Sequence, residues 1–330
     1  MTANTFLLPT QVLLWPLVMD EANWTSVSEF VFSGVSDRQE LQPLIFAGLL
    51  ATYLVNVIGN SMLLGLMWAN PLLRTPMYFL LSQLAIADMC MVSVIVPQAL
   101  VHILTQHGAI SFTGCMVQLF ICVAMGNMGG YLLAAMAYDR YVAVCDPLRY
   151  AAVVTWSLCL KMVAASWAVV IPHALLHTIM IAELHYCGNR LQHFFCDLPP
   201  LLLLSCTRPI TIELVIYTEG FLVVLTPFAF ILASYVRIGV AVARLRSTQA
   251  LRKALSTCSS HLTVVLLSYG TLVWLFFHPD SSSIPGYKQQ VTFFYTAVVP
   301  TLNPLIYSLR NKDVAAALRR AKKKILTWGT

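Results

Sequence analysis

Asp139 and Arg140 stand side by side in MAYDRYVAVCDPLRY (Met136 to Tyr150), at the end of a long stretch that is otherwise almost free of charge. A carboxylate beside a guanidinium in apolar surroundings can hold a cation and later release it. Adjacent residues on a helix point about 100° apart, so the two do not stack as residues three or four apart do. The long Arg140 side chain can nevertheless bend back to Asp139. At a membrane rim, where an unpaired charge is expensive, such a pair can act as a latch that frees Arg140 toward a partner when the bundle moves. It can equally anchor the helix end at the interface, and the residues alone do not choose.

Three further polar residues lie in apolar runs. His173 and His177 are four apart and share a helix face, while Glu219 is an acid inside a later run, so a His to Glu pair across two helices is open. Hydrogen bonding within the fold is the plainer role for the histidines. A carboxylate at lipid depth needs a partner, which leaves Glu219 between ligand contact and internal pairing. No paired acids and no Ser, His and Asp constellation share a depth, which argues against an intramembrane enzyme. No Cys or His spacing along the chain matches a metal site, and no cofactor is implied.

These residues sit on elements that composition defines. Hydrophobic residues make up 58% of the 330 and charged residues 10%, against about 25% charged in a soluble domain. A bilayer crossing needs roughly 20 apolar residues, and seven stretches qualify. Span one lies in Leu41 to Leu73. Thr75 to Tyr138 holds only Asp88 as a charge and must split at the polar segment Gln106 to Gly114 into spans two and three. Met162 to Ala182, Ile212 to Val236, Ala254 to Phe277 and Gln289 to Leu309 supply spans four to seven. An open sheet cannot leave its edge in lipid, so the expected fold is an all-α membrane protein, a seven-transmembrane helix bundle.

Basic residues orient it. Sixteen of the twenty Lys and Arg fall after spans one, three and five or in the tail, while Arg38, Arg190, Arg208 and Lys288 lie on the other side. The N-terminus is therefore outside and the tail cytoplasmic, and the net charge of +6 reports topology rather than nucleic-acid binding. Asn23-Trp24-Thr25 is a glycosylation acceptor on the outer side. Cys115, Cys187, Cys196 and Cys206 also face the oxidising side, where disulfides form. Four cysteines allow three pairings that sequence does not separate. A transporter would show repeated halves and a channel a filter or charged pore lining; the sequence has neither.

Six blocks in fixed order resemble the odorant receptors of the rhodopsin-like G-protein-coupled class: Gly59-Asn60, LRTPMYFLLSQLAIAD (Leu73 to Asp88), MAYDRYVAVCDPLRY, Ser234-Tyr235, KALSTCSSHLTVV (Lys253 to Val265) and PTLNPLIYSLRNK (Pro300 to Lys312). The resemblance covers the chain from about Asn23 to Val314. It implies bridges between Cys115 and Cys196 and between Cys187 and Cys206. It also implies a switch of Asp139, Arg140, Tyr141, Tyr235, His261, Asn303, Pro304 and Tyr307 that couples to a stimulatory, olfactory-type G protein and raises cyclic AMP. Asn60 and Asp88 would form a polar core with Asn303. Family members often carry an acid in span three eleven residues before the Arg, a position held here by Gly129, which argues against a strong sodium site.

The resemblance places an odorant in the outer half of the bundle. Leu119, Cys122, Val123, Gly126 and Asn127 share one face of span three. By motif position the facing walls are Glu219 and Val223 on span five, Tyr269, Leu272 and Phe276 on span six, and Phe293 and Thr296 on span seven, with His177 as a further contact. A mostly apolar lining with a few polar groups suits a small volatile molecule. A receptor of the same class for a non-odorant ligand, expressed outside olfactory tissue, is the alternative.

Residues 1–40 are expected to form an outer segment, with 1–18 an upstream extension before Met19, and residues 41–309 the seven-helix domain in the plasma membrane. In residues 310–330, Val314, Leu318, Ala321, Ile325 and Trp328 recur every three or four residues opposite a basic face. That pattern describes an amphipathic helix lying on membrane lipid.

Overall fold

Each apolar run is bounded by residues that start or stop a helix. The computed structural model describes residues 27–34, 39–207, 209–245, 247–277, 287–310, 314, 316 and 317. Helix α1 (Gln42–Ala69) has Pro43 in its first turn, and α2 (Pro76–Thr105) opens on Pro76, where a missing N–H costs nothing. Gln106 ends α2 in the left-handed conformation, with φ 55°. Ser111 caps α3 (Phe112–Cys145) by accepting from the Gly114 N–H at 3.1 Å, and Thr155 caps α4 (Trp156–Ala182) through the Leu158 N–H at 3.2 Å. Helices α5 (Ile210–Leu245) and α6 (Thr248–Phe277) follow. The seventh crossing is composite: α7 (Tyr287–Phe293), a π turn (Phe294–Val298) and α8 (Val299–Arg310) run on without a break.

Six of these helices are individually long and apolar enough to cross a membrane. The apolar limits underestimate four of them: α3 runs past Tyr138 to Cys145, α4 begins at Trp156 rather than Met162, α5 continues past Val236 to Leu245 and α6 already begins at Thr248. Helices do not stop where lipid stops. Their polar ends, carrying Arg237 and Arg244, extend into water at the inner face. Large apolar side chains such as Trp68, Phe230 and Leu266 point outward. On a soluble protein such exposure would mark a contact surface; here it faces lipid.

A small sheet on the outer side is absent from the all-helical expectation. Strand β1 (Glu29–Phe32) lies between β2 (Ala109–Ser111), antiparallel to it with Phe30 opposite Ile110, and β3 (Arg190–Leu191), parallel to it with Val31 opposite Arg190. Lying outside the apolar spans, its edges meet no hydrocarbon. Phe30 and Phe32 are buried beneath it against Cys115, Leu119 and Leu191.

Helix α3 runs through the centre of the bundle, where Ala124, Met128, Leu132 and Met136 are buried with Leu80 and Leu84 of α2. A Cβ on Gly59 would stand 3.2 Å from the Pro304 Cγ. Glycine there lets α1 approach the seventh span closely, which gives Gly59-Asn60 a packing reason. Asn23, the 1–18 extension and nearly all of the basic amphipathic tail lie outside the described residues.

Candidate functional site

At the inner end of α3, Asp139 is buried and its Oδ1 accepts from the Tyr150 hydroxyl at 2.7 Å. Arg140 Nε stands 4.0 Å from Asp139 Oδ2, an ion contact without a hydrogen bond, and its Nη2 is turned to Met77 Sδ. The carboxylate is thus shared between a phenol and a guanidinium rather than committed to Arg140. Burial and the neighbouring Asp139 carboxylate both push the Tyr150 phenol up, so it remains a donor. Tyr141, one residue on, packs beside Ile238 and Val242 of α5 and Ala254 and Cys258 of α6.

About two turns above, three helices meet at His261. Its Nε2 lies 2.9 Å from the Leu133 carbonyl and its Nδ1 2.7 Å from the Tyr235 hydroxyl. A carbonyl only accepts, so Nε2 carries the proton, and in the neutral ring Nδ1 accepts from Tyr235. This chain ties α3, α5 and α6 together. Tyr307 is buried nearby on α8, and its hydroxyl has no partner among the described residues.

Deeper in the bundle, Asn303 Nδ2 donates to Asp88 Oδ2 at 2.8 Å. Asn60 does not join them: its amide donates to the Asn56 carbonyl within α1 at 3.1 Å. An asparagine one helical turn from a carbonyl satisfies itself locally, so the expected three-residue core is a pair.

A cavity of about 60 Å³ sits beside that pair, lined by Leu84, Met91, Gly126, Asn127, Gly129, Gly130, Tyr269, Leu272 and Tyr295 among others. Of the residues read as ligand contacts, Gly126, Asn127, Tyr269 and Leu272 border it. Leu119, Cys122, Val123, His177, Glu219, Val223, Phe293 and Thr296 do not, and the Phe276 side chain is not among those described. Higher up, Phe194 and Phe195 are fully buried with Met91, Ile95 and Cys122, and Phe194 meets Phe293 with ring centroids 5.9 Å apart. Loop aromatics thus occupy part of the expected outer pocket. Leu119 packs under the outer sheet, and the Thr296 hydroxyl turns back to the Thr292 carbonyl at 2.8 Å.

A profile of the family described as "Olfactory receptor" matches residues 49–325. The chain belongs to the olfactory receptor family. It is 45% identical over 303 residues to olfactory receptor 1f45 of Rattus norvegicus, covering 92% of this chain and 97% of that one. It is 44% identical over 303 residues to olfactory receptor 1J1 of Homo sapiens, covering 92% and 94%. Squid rhodopsin matches in three dimensions with a TM-score of 0.68 at 18% identity, over 88% of this chain and 87% of that one. That likeness establishes the seven-helix fold. The olfactory receptor is accordingly a multi-pass membrane protein with a small-molecule ligand and a G protein as partners, and not an enzyme.

In this receptor the cysteines pair Cys115 with Cys196 and Cys187 with Cys206, so of the three arrangements open to four cysteines this is the one present. Cys196 is further held by Gln118 of α3, whose Oε1 accepts from its N–H at 2.8 Å while Nε2 donates to the Val94 carbonyl at 2.5 Å. Sequence reasoning missed Phe194 and Phe195 as occupants of the bundle, although a signal existed. They immediately precede Cys196, and a residue bridged to the top of α3 must pull its neighbours inward. Burial lowers the pKa of His193 in the same loop and raises that of Asp197, each partly offset by the other's charge.

Proposed function

We propose that this receptor binds a small, mostly apolar volatile molecule in the outer half of the bundle and activates a stimulatory, olfactory-type G protein, raising cyclic AMP. The observation that carries this reading is the use of a single helix for both ends of the task. Gly126 and Asn127 of α3 border the cavity, and Arg140 lies at the inner end of the same helix. From Val123 to Arg140 is 17 residues, about 25 Å at 1.5 Å per residue. Between them Leu133 receives His261, so a shift of α6 must alter the Tyr235 link on α5 as well. Phe194 and Phe195 are buried against Cys122 and Phe293, two of the side chains assigned to the ligand, so an odorant that reaches those side chains displaces the loop aromatics and widens the outer pocket. Binding energy spent in that way favours the open arrangement over the closed one. Residues 1–40 then face outside, 41–309 span the membrane and 310–330 lie on its cytoplasmic side.

An odorant screen read out as cyclic AMP in cells tests the reading. A Cβ at Gly126 would find nothing nearer than Met91 Cε at 3.9 Å and the Tyr295 hydroxyl at 4.0 Å. The Cβ is thus accommodated while the rest of a Gly126→Leu side chain projects into the cavity, and the overpacking a ligand then meets, about 1–3 kcal/mol, raises the half-maximal odorant concentration roughly tenfold or more at unchanged surface expression. An unchanged dose response would place the ligand elsewhere.

Sodium is expected to matter little. A Cβ at Gly129 would meet only Leu84 Cδ1, at 3.9 Å, so the position has room for an acid but carries none. Asp88 is left with the neutral Asn303 as its partner, and one carboxylate without a second charge binds sodium poorly. Exchanging sodium for a large inert cation at constant ionic strength should leave basal cyclic AMP unchanged, and Gly129→Glu should introduce a dependence. A clear sodium effect in the parent receptor, lost in Asp88→Asn, would reverse this.

A further inference from the structure

His173 and His177 of α4 and Glu219 of α5 form a cluster that neither the cavity nor the Arg140 end uses. The two imidazoles lie one turn apart on α4, both buried, with ring centroids 4.2 Å apart. Glu219 Oε2 stands 2.5 Å from His173 Nδ1 and 3.0 Å from His177 Nε2. All three donor atoms lie within 4.8 Å of one another. His177 Nδ1 is buried and has no hydrogen-bond partner among the described residues. Among the described residues no Lys or Arg pairs with Glu219.

We propose that His173, His177 and Glu219 bind one divalent transition-metal ion of the zinc class and thereby clamp α4 to α5. Two neutral imidazoles and one carboxylate are a donor set that zinc accepts, with a fourth position left for water. Nitrogen and carboxylate donors at this count favour zinc or its transition-metal neighbours over magnesium or calcium, which take oxygen. Zinc bonds of about 2.0–2.2 Å put tetrahedral donors roughly 3.4 Å apart. Rotations that move each donor by about an ångström therefore convert the present cluster into a coordination shell. Charge points the same way. In the outer half of the bundle an acid requires compensation, and a single Glu219 oxygen is shared between His173 Nδ1 and His177 Nε2. A divalent cation satisfies all three groups at once. Glu219 is 32% exposed while the histidines are buried. The sequence offers His173 and His177 four apart and Glu219 on a later run as a pair across two helices, and the fold brings all three donors together.

The test uses the purified full-length receptor in lipid nanodiscs, freed of metal and titrated with zinc or cobalt chloride. It does not depend on the odorant reading, because no signalling is measured. The parent is expected to bind one equivalent that Glu219→Gln and the double variant His173→Ala/His177→Ala lack, with the visible absorption of four-coordinate cobalt lost in parallel. Zinc should raise the Tm of the parent and leave that of Glu219→Gln unmoved. His177→Cys, which keeps a zinc donor while removing the imidazole, should retain the equivalent and shift the cobalt spectrum toward a thiolate ligand. His102→Ala/His107→Ala, at the outer end of α2, should retain both the equivalent and the spectrum. If Glu219→Gln and the double alanine variant do not fold, the thiolate shift of the cobalt spectrum in His177→Cys still reports on the site. A parent that binds no such equivalent, or a Glu219→Gln protein that binds as the parent does, overturns the proposal.

Discussion

Arg140→Ala should reach the cell surface normally and lose odorant-driven cyclic AMP. The Arg140 Nε is 4.0 Å from Asp139 and makes no hydrogen bond, so the substitution breaks no hydrogen bond to the carboxylate, although the side chain, 16% exposed, gives up its contact with Met77. If it makes one charge-assisted hydrogen bond to the G protein, worth about 1.5–3 kcal/mol, its loss weakens coupling roughly ten- to hundredfold. Flow cytometry beside a cyclic AMP assay separates this from the anchoring role, under which the same variant would stay inside the cell. Tyr150→Phe gives an opposite signature. It removes the 2.7 Å hydrogen bond on Asp139, frees the carboxylate to move with Arg140 and should change basal signalling without abolishing the odorant response. An Arg140→Ala receptor that is present at the surface and signals fully sinks the coupling role.

How much of this was legible before the structure depends on whether the determining physics is local. The crossings were legible because lipid sets a length and forbids charge, and each run satisfies that condition by itself. The π turn at Phe294–Val298 was not, since nothing in FYTAV distinguishes it from α-helix. The outer sheet was also hidden: EFVF at Glu29–Phe32 becomes a strand only because Ala109–Ser111 and Arg190–Leu191 come to lie on either side of it. Site residues divide in the same way. Asp139 and Arg140 advertise themselves as charges in an apolar stretch, but Tyr150, which shares the carboxylate, reads as an ordinary loop aromatic. His261 sits in a recognisable motif, yet its role follows from Leu133 and Tyr235, residues on two other helices. The pocket was the hardest part. Helix periodicity names the residues on one face of α3 but is silent about a loop descending between the helices, and Phe194 and Phe195 occupy space that the periodicity assigned to ligand.

Cys115→Ser should produce a receptor retained inside the cell, with surface labelling reduced to a small fraction of the parent. The bridge joins the first turn of α3 to Cys196 across 81 residues, with Cα atoms 5.5 Å apart. Losing a native bridge costs roughly 2–5 kcal/mol, a large share of the about 5–15 kcal/mol that usually separates folded from unfolded chains. The damage does not stop at chain entropy. Without the bridge, Gln118 still ties the loop to α3 through the Cys196 N–H at 2.8 Å, but Phe194 and Phe195 lose the covalent restraint that holds them in the bundle. Cys187→Ser should do less, because its bridge to Cys206 closes only 19 residues. By loop closure alone the difference between the two bridges is about 1 kcal/mol. Gln118→Ala, which leaves both bridges intact, should be milder than either and lower the Tm without blocking export. Peptide mapping without reduction checks the assignment underneath all three: a peptide joining Cys115 to Cys206 would overturn it, and a Cys115→Ser receptor exported at the parent's level would show that the bridge does not hold the outer cap.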